Sequence, residues 1–144
     1  MTANEIEELL RQKYCSPSWA FLPQVRNQTG YNTTTRTADA LAMQLYPSRG
    51  LHLHGFEIKV ARGDWMTELK NPDKAEEIGR FCDYWWIVSC ESVVKIEELP
   101  ALWGLMVVKN DSLKVIKNAE INKDSQLITK SFLASILRKN MKEE

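Results

Sequence analysis

The chain reads as a single α/β domain over residues 1–144: a helix, three strands, a helix and a further strand, with an added C-terminal hairpin and helix. Three observations predict it. Gly55-Phe56-Glu57-Ile58-Lys59-Val60 alternates as a strand does, with Glu57 and Lys59 on one face and Phe56, Ile58 and Val60 on the other. Tyr84-Trp85-Trp86-Ile87-Val88-Ser89 is apolar on both faces, the pattern of a central strand covered on both sides. Near the two ends, Ile6, Leu9, Leu10 and Tyr14, and then Phe132, Leu133, Ile136 and Leu137, keep helical spacing.

The N-terminal half supplies one helix and three strands. Asn4 followed by Glu7 resembles a capping box and starts a helix near residues 4–14, with Glu5, Glu7 and Glu8 in the first turn, where the helix dipole favours acids. Pro17 ends that helix, and Trp19 to Val25 reads as a first strand in which Pro23 marks an edge or a bulge. Asn27 to Thr35 is a polar loop. Residues 36–46 are ambiguous: Ala, Leu, Met and Gln favour a helix, but the turn Pro47-Ser48-Arg49-Gly50 and the strand Leu51–Val60 favour a hairpin with a strand over 37–46. We take the strand. Residues facing each other across that turn then have numbers summing to about 96 or 97, which sets Asp39 opposite Glu57 or its neighbour. His52 and His54 fall on the face of Phe56 and Ile58, away from Glu57, and read as sheet-covering residues rather than metal ligands.

Asp64 is the expected N-cap of a short helix to about Lys70, and Pro72 and Asp73 begin another that turns Ala75, Ile78, Gly79 and Cys82 inward. The tryptophans of the Tyr84–Ser89 strand read as core. After a connector bearing Glu91, Glu97 and Glu98, Gly104–Lys109 and Leu113–Lys117 form a peripheral hairpin about Asn110-Asp111. Residues 121–126 are loop. Thr129–Lys142 is a last helix with Phe132, Leu133, Ile136 and Leu137 inward and Arg138, Lys139 and Lys142 at its C-terminal end, where the dipole favours cations.

Composition bounds the function. A 44% hydrophobic and 26% charged chain is ordinary for a soluble globular protein, and neither a spanning segment of roughly 20 apolar residues nor a signal-peptide pattern is present, so a cytoplasmic protein without a membrane partner is expected. Cys15, Cys82 and Cys90 make no CxxC pair and are expected to be reduced. The formal net charge is zero, yet Arg11–Gly63 holds seven basic against two acidic residues, leaving +5 there and −5 elsewhere. That asymmetry suits a segment meeting phosphates. Arg36, Arg49, Arg62, Lys70 and Lys74 are the candidate nucleic-acid contacts, with solvated surface as the alternative. The two histidines lie on the wrong face for a serine or cysteine nucleophile, and there is no GxxxxGK loop.

Phosphodiester cleavage uses a divalent metal to activate water and to neutralise charge building on phosphorus oxygens. Mg²⁺ takes oxygen ligands, commonly one or two carboxylates with waters and substrate phosphate. Asp39 and Glu57 meet that need, the Ile58 backbone carbonyl is a candidate third ligand, and Lys59 is placed to orient water or to stabilise the transition state.

These residues resemble the PD-(D/E)XK phosphodiesterase superfamily. The likeness extends through Arg36-Thr37-Ala38-Asp39, Gly55-Phe56-Glu57-Ile58-Lys59, Asp64-Trp65, Glu68-Leu69-Lys70, Lys74-Ala75, Cys82-Asp83 and Leu99-Pro100-Ala101-Leu102-Trp103-Gly104, a pattern similar to phage and bacterial members near the MmcB-like DNA-repair group. The resemblance implies a restriction-endonuclease-like core (α-β-β-β-α-β) and a Mg²⁺- or Mn²⁺-dependent nuclease with Asp39 and Glu57 as ligands and Lys59 as the catalytic lysine. The family's Pro-Asp is Ala38-Asp39 here, and the Gln-x-x-x-Tyr signature of its exonuclease branch is missing. Some relatives add an acid from the first helix, which Glu5, Glu7 or Glu8 would supply. The expected activity is a DNA endonuclease of repair, recombination or phage DNA metabolism, as a possible homodimer; the alternative is a non-catalytic nucleic-acid-binding or protein-interaction module on the same fold.

Overall fold

The computed structural model describes residues 1–26, 37–71 and 73–141. A six-stranded mixed sheet runs in sequence order: β1 (Trp19–Arg26), β2 (Thr37–Gln44), β3 (Leu53–Lys59), β4 (Tyr84–Ser89), β5 (Gly104–Lys109) and β6 (Ser112–Lys117). The first three strands form an antiparallel meander, β3–β4 and β4–β5 are parallel, and β5–β6 is antiparallel. Among the described residues four α-helices flank it: α1 (Ala3–Lys13), α2 (Arg62–Lys70), α3 (Asp73–Gly79) and α4 (Lys130–Met141). Among the described residues no helix is long and apolar enough to cross a membrane.

The hairpin expectation holds, and its register is that of the sum 96: Ala40 pairs with Phe56, Leu41 with Gly55 and Ala42 with His54. Strand pairing thus overrides the helix propensity of residues 37–44. Pro23 lies on β1, an edge strand of the sheet, where its missing N–H costs nothing. One sheet face is closed by α1, whose Ile6, Leu10 and Tyr14 pack with Ala40, Phe56, Trp86, Val88 and Met106. The opposite face holds two apolar clusters, one around Leu41, Ile78, Phe81, Trp85 and Phe132, the other around Trp65, Ile87, Val93, Leu105 and Val107. Glu57 and Lys59 point to this second face by alternation from Phe56.

Several local expectations are corrected. The capping box is Thr2 with Glu5, two residues ahead of Asn4 and Glu7. Arg62 begins α2 and Ala61 is its N-cap, which leaves Asp64 as a first-turn acid. The hairpin after residue 103 is not peripheral: β5 is an interior strand, buried from Gly104 to Val108, and only β6 forms the edge, because Gly104–Val108 is apolar on both faces as β4 is. In α4, Phe132 is fully buried, stacked on Phe81 at 4.8 Å, while Leu133 and Leu137 stay 46% and 54% exposed and Ser135 takes the inward place. The three cysteines are free.

Candidate active site

The site forms where β2 and β3 part. In the antiparallel ladder the Gln44 N–H donates to the His52 carbonyl, so the hydrogen-bonded pairs recur at Ala42/His54 and Ala40/Phe56, and the next would join Ala38 and Ile58. Instead the Ile58 N–H donates to Asp39 Oδ2 at 2.7 Å. The Asp39 carboxylate stands in for a backbone acceptor and is thereby fixed beside Glu57. Because a strand residue turns its N–H and C=O to the same side, the Ile58 carbonyl also faces β2 and Asp39.

Lys59 lies two residues along the same face. Its Nζ is 3.9 Å from Glu57 Oε2 and 2.9 Å from Glu68 Oε1, and the three side chains are 13%, 15% and 3% exposed. Glu68 arrives from α2, whose inward face is Trp65 and Glu68, one turn apart. Trp65 is fully buried in the cluster with Ile87 and Leu105, and that packing holds Glu68 over β3. From the sequence this glutamate stands only within the resemblance motif Glu68-Leu69-Lys70, with no role at the site. The signal available was its i+3 spacing from a tryptophan, which puts the acid on the face the indole must bury.

Electrostatics acts most strongly on Glu57. Burial, then the neighbouring Asp39 charge, pushes the Glu57 carboxyl up to about 9; Lys59 opposes this, and Glu68 and a hydrogen bond to Asp39 add to it. Glu57 therefore holds a proton at neutral pH, shared toward Asp39. Burial works against the Lys59 ammonium, but the Glu68 hydrogen bond and the Glu68, Glu57 and Asp39 charges outweigh it and raise its pKa. The lysine stays charged.

The remaining candidates are dispersed. Glu7 and Glu8 lie 3.5 and 3.7 Å from Arg11 on α1, which packs on the opposite sheet face, so they are not brought to Glu57; the further acid that the fold places beside Lys59 is Glu68. Glu5 caps α1. Arg62 is bound to Glu98 through both guanidinium ends at 2.8 and 2.6 Å and donates to the Val93 carbonyl, while Trp65 Nε1 donates to the same carboxylate. That ion pair holds Glu98 down at about 2 and makes Arg62 a tether for α2 rather than an open phosphate contact. Arg49 sits in the turn before β3, at the far end of the strand from Glu57, where it lines a cavity of about 460 Å³ with Lys13, His52 and Tyr84. Lys70 is exposed, two residues past Glu68 and so turned away from it. Arg36 and the Lys74 side chain lie outside the described residues. His54 accepts a hydrogen bond from Trp86 Nε1 at 3.0 Å and stacks on Tyr84, and burial lowers its pKa to about 4, which fits the sheet-covering role.

Whether the site suits a divalent ion turns on donor chemistry. Among the described residues no group of three His, Cys, Asp or Glu side chains is arranged to hold a metal on its own. Asp39 and Glu57 are adjacent hard oxygen donors, and the Ile58 carbonyl faces the same side. Such a partial set fits Mg²⁺ or Mn²⁺, which keep several waters and complete their shell with substrate phosphate.

No protein-family model matches the chain, and no curated protein matches it. A solved structure described as a protein of unknown function from Silicibacter pomeroyi is similar to it, with a TM-score of 0.62 at 16% identity, over 98% of this chain and 82% of the other. At that identity the likeness shows the fold: a mixed α/β architecture with a six-stranded mixed sheet flanked by helices.

Proposed function

We propose that this protein is a Mg²⁺- or Mn²⁺-dependent phosphodiesterase acting on nucleic acid, most simply a DNA endonuclease. The observation that carries the reading is the convergence of Asp39 and Glu57 from adjacent strands, with the charged Lys59 ammonium on the same face. In this reading the two carboxylates and the Ile58 carbonyl would hold the ion, which would supply water activation and charge neutralisation at the phosphorus. Lys59 would orient the attacking water and stabilise negative charge on the non-bridging oxygens. The order helix, three antiparallel strands, helices and a parallel fourth strand is the order a restriction-endonuclease-like core requires, and it supports the reading.

The test is incubation of the chain with Mg²⁺ or Mn²⁺ and a panel of single-stranded, duplex and branched DNA. Cleavage by wild type and its loss in Glu57→Gln and Lys59→Met are expected; intact DNA in every lane rejects the nuclease. A second reading, a module that binds nucleic acid without cutting it, is favoured by the absence, among the described residues, of three side chains grouped to hold a metal on their own. DNA retained by gel shift, without metal binding or cleavage, selects it.

A further inference from the structure

We propose that Glu68 is the counter-ion that keeps Lys59 off Glu57, so that the Asp39–Glu57 pair stays open to a divalent cation. The inference rests on the metal-dependent reading above. One ammonium stands within reach of two carboxylates, and it is paired with the one on the helix: 2.9 Å to Glu68 against 3.9 Å to Glu57. Glu68 is the more deeply buried of the two, at 3% exposure. Placing a carboxylate there is costly unless it answers a charge, and two apolar side chains would secure α2 on β3 as well or better. The charge balance gives the pair a purpose. Lys59 and Glu68 cancel, so the Asp39 and Glu57 carboxylates, once the incoming ion has displaced the Glu57 proton, match a 2+ ion and leave the buried group neutral. Without Glu68 an uncompensated ammonium remains next to the site, repels the incoming cation and has Glu57 as its nearest remaining acceptor. Glu68 is thus a positioning residue, acting through Lys59.

The experiment is calorimetric titration of Mn²⁺ into the full chain as wild type, Glu68→Gln, Lys59→Met and the double variant. Glu68→Gln is expected to weaken Mn²⁺ binding roughly 10- to 100-fold, the range for residues that orient metal ligands, and adding Lys59→Met is expected to restore it. That recovery is the decisive readout, since a glutamate that ligates the metal or merely supports the fold would not be rescued by removing the lysine. Because Glu68→Gln leaves a buried ammonium unpaired and the variant can unfold, the comparison is repeated with Glu68→Asp, whose shorter arm loosens the clamp. Its loss is smaller and is again removed by Lys59→Met. Mn²⁺ affinity unchanged in Glu68→Gln, or a double variant as weak as the single, overturns the inference while leaving the metal reading intact. A wild type that binds no Mn²⁺ overturns both.

Discussion

At Glu57 two penalties coincide: burial, and the charge of Asp39 beside it. Its folded pKa of about 9 lies above the ordinary value of 4.5, so between these pH values the folded chain holds a proton that the unfolded chain has released. Stability must then fall as pH rises through that window, by at most about 1.4 kcal/mol per unit. The melting temperature of the metal-free protein is expected to decline from pH 5 to pH 9, and Glu57→Gln to flatten most of that slope. Equal slopes in the two proteins would reject a protonated Glu57. Asp39 differs, because its carboxylate satisfies the Ile58 N–H. Asp39→Ala leaves that donor without its acceptor and is expected to cost about 1–3 kcal/mol in denaturant unfolding, whereas Asp39→Asn, which keeps an acceptor oxygen, costs less. At this scale Glu57 and Lys59 were legible from strand alternation and Asp39 from hairpin register, since both are local rules. Glu68 was not: in Thr67-Glu68-Leu69-Lys70 it looks like any solvated helix charge until α2 is docked.

Elements show the same division between local rule and docking. Residues 37–44 carry helix formers yet pair as β2, and only the following turn and strand betrayed it. The rotation of α4 was illegible, because the Phe132–Phe81 stack sets it rather than the most apolar stripe, and Leu133 and Leu137 are left outside. Gly55 on β3 is a requirement of strand packing: a Cβ there would collide with the six-membered ring of Trp85 on the neighbouring strand and lie 3.0 Å from Cys82 Sγ. Gly55→Ala is expected to destabilise the protein by about 3 kcal/mol, the upper part of the range for overpacking a core, measured by urea unfolding. A neutral result would mean that the Trp85 ring moves freely between β3 and α3. Arg62 poses a matching question for α2. Because its guanidinium is already paired with Glu98 at the helix start, Arg62→Ala is expected to lower the melting temperature with DNA affinity unchanged. A DNA-affinity loss without a stability loss would return Arg62 to the phosphate contacts.

Across the whole molecule the two sheet faces are built for different tasks. The α1 face is a continuous apolar layer with His54 held neutral in it, whereas the opposite face carries two separate apolar clusters and, on the same side, four charged or polarisable groups. A fold of this kind holds Glu57 protonated in the absence of a cation, so metal binding must displace a proton. Below pH 9 the apparent affinity for Mg²⁺ or Mn²⁺ is then expected to rise about tenfold per pH unit, and to level off above it. Titrations at pH 7 in two buffers of different ionisation heat are expected to report close to one proton released per ion. If the ion binds as proposed, the same linkage makes it a stabiliser, since an ion that binds only the folded chain contributes about 2.7 kcal/mol at a hundred times its Kd. Saturating Mn²⁺ is therefore expected to raise the melting temperature of wild type and not of Glu57→Gln. Metal binding with no proton released would place the ion away from Glu57, and stabilisation surviving in Glu57→Gln would show that the Asp39–Glu57 pair is not where the ion is held.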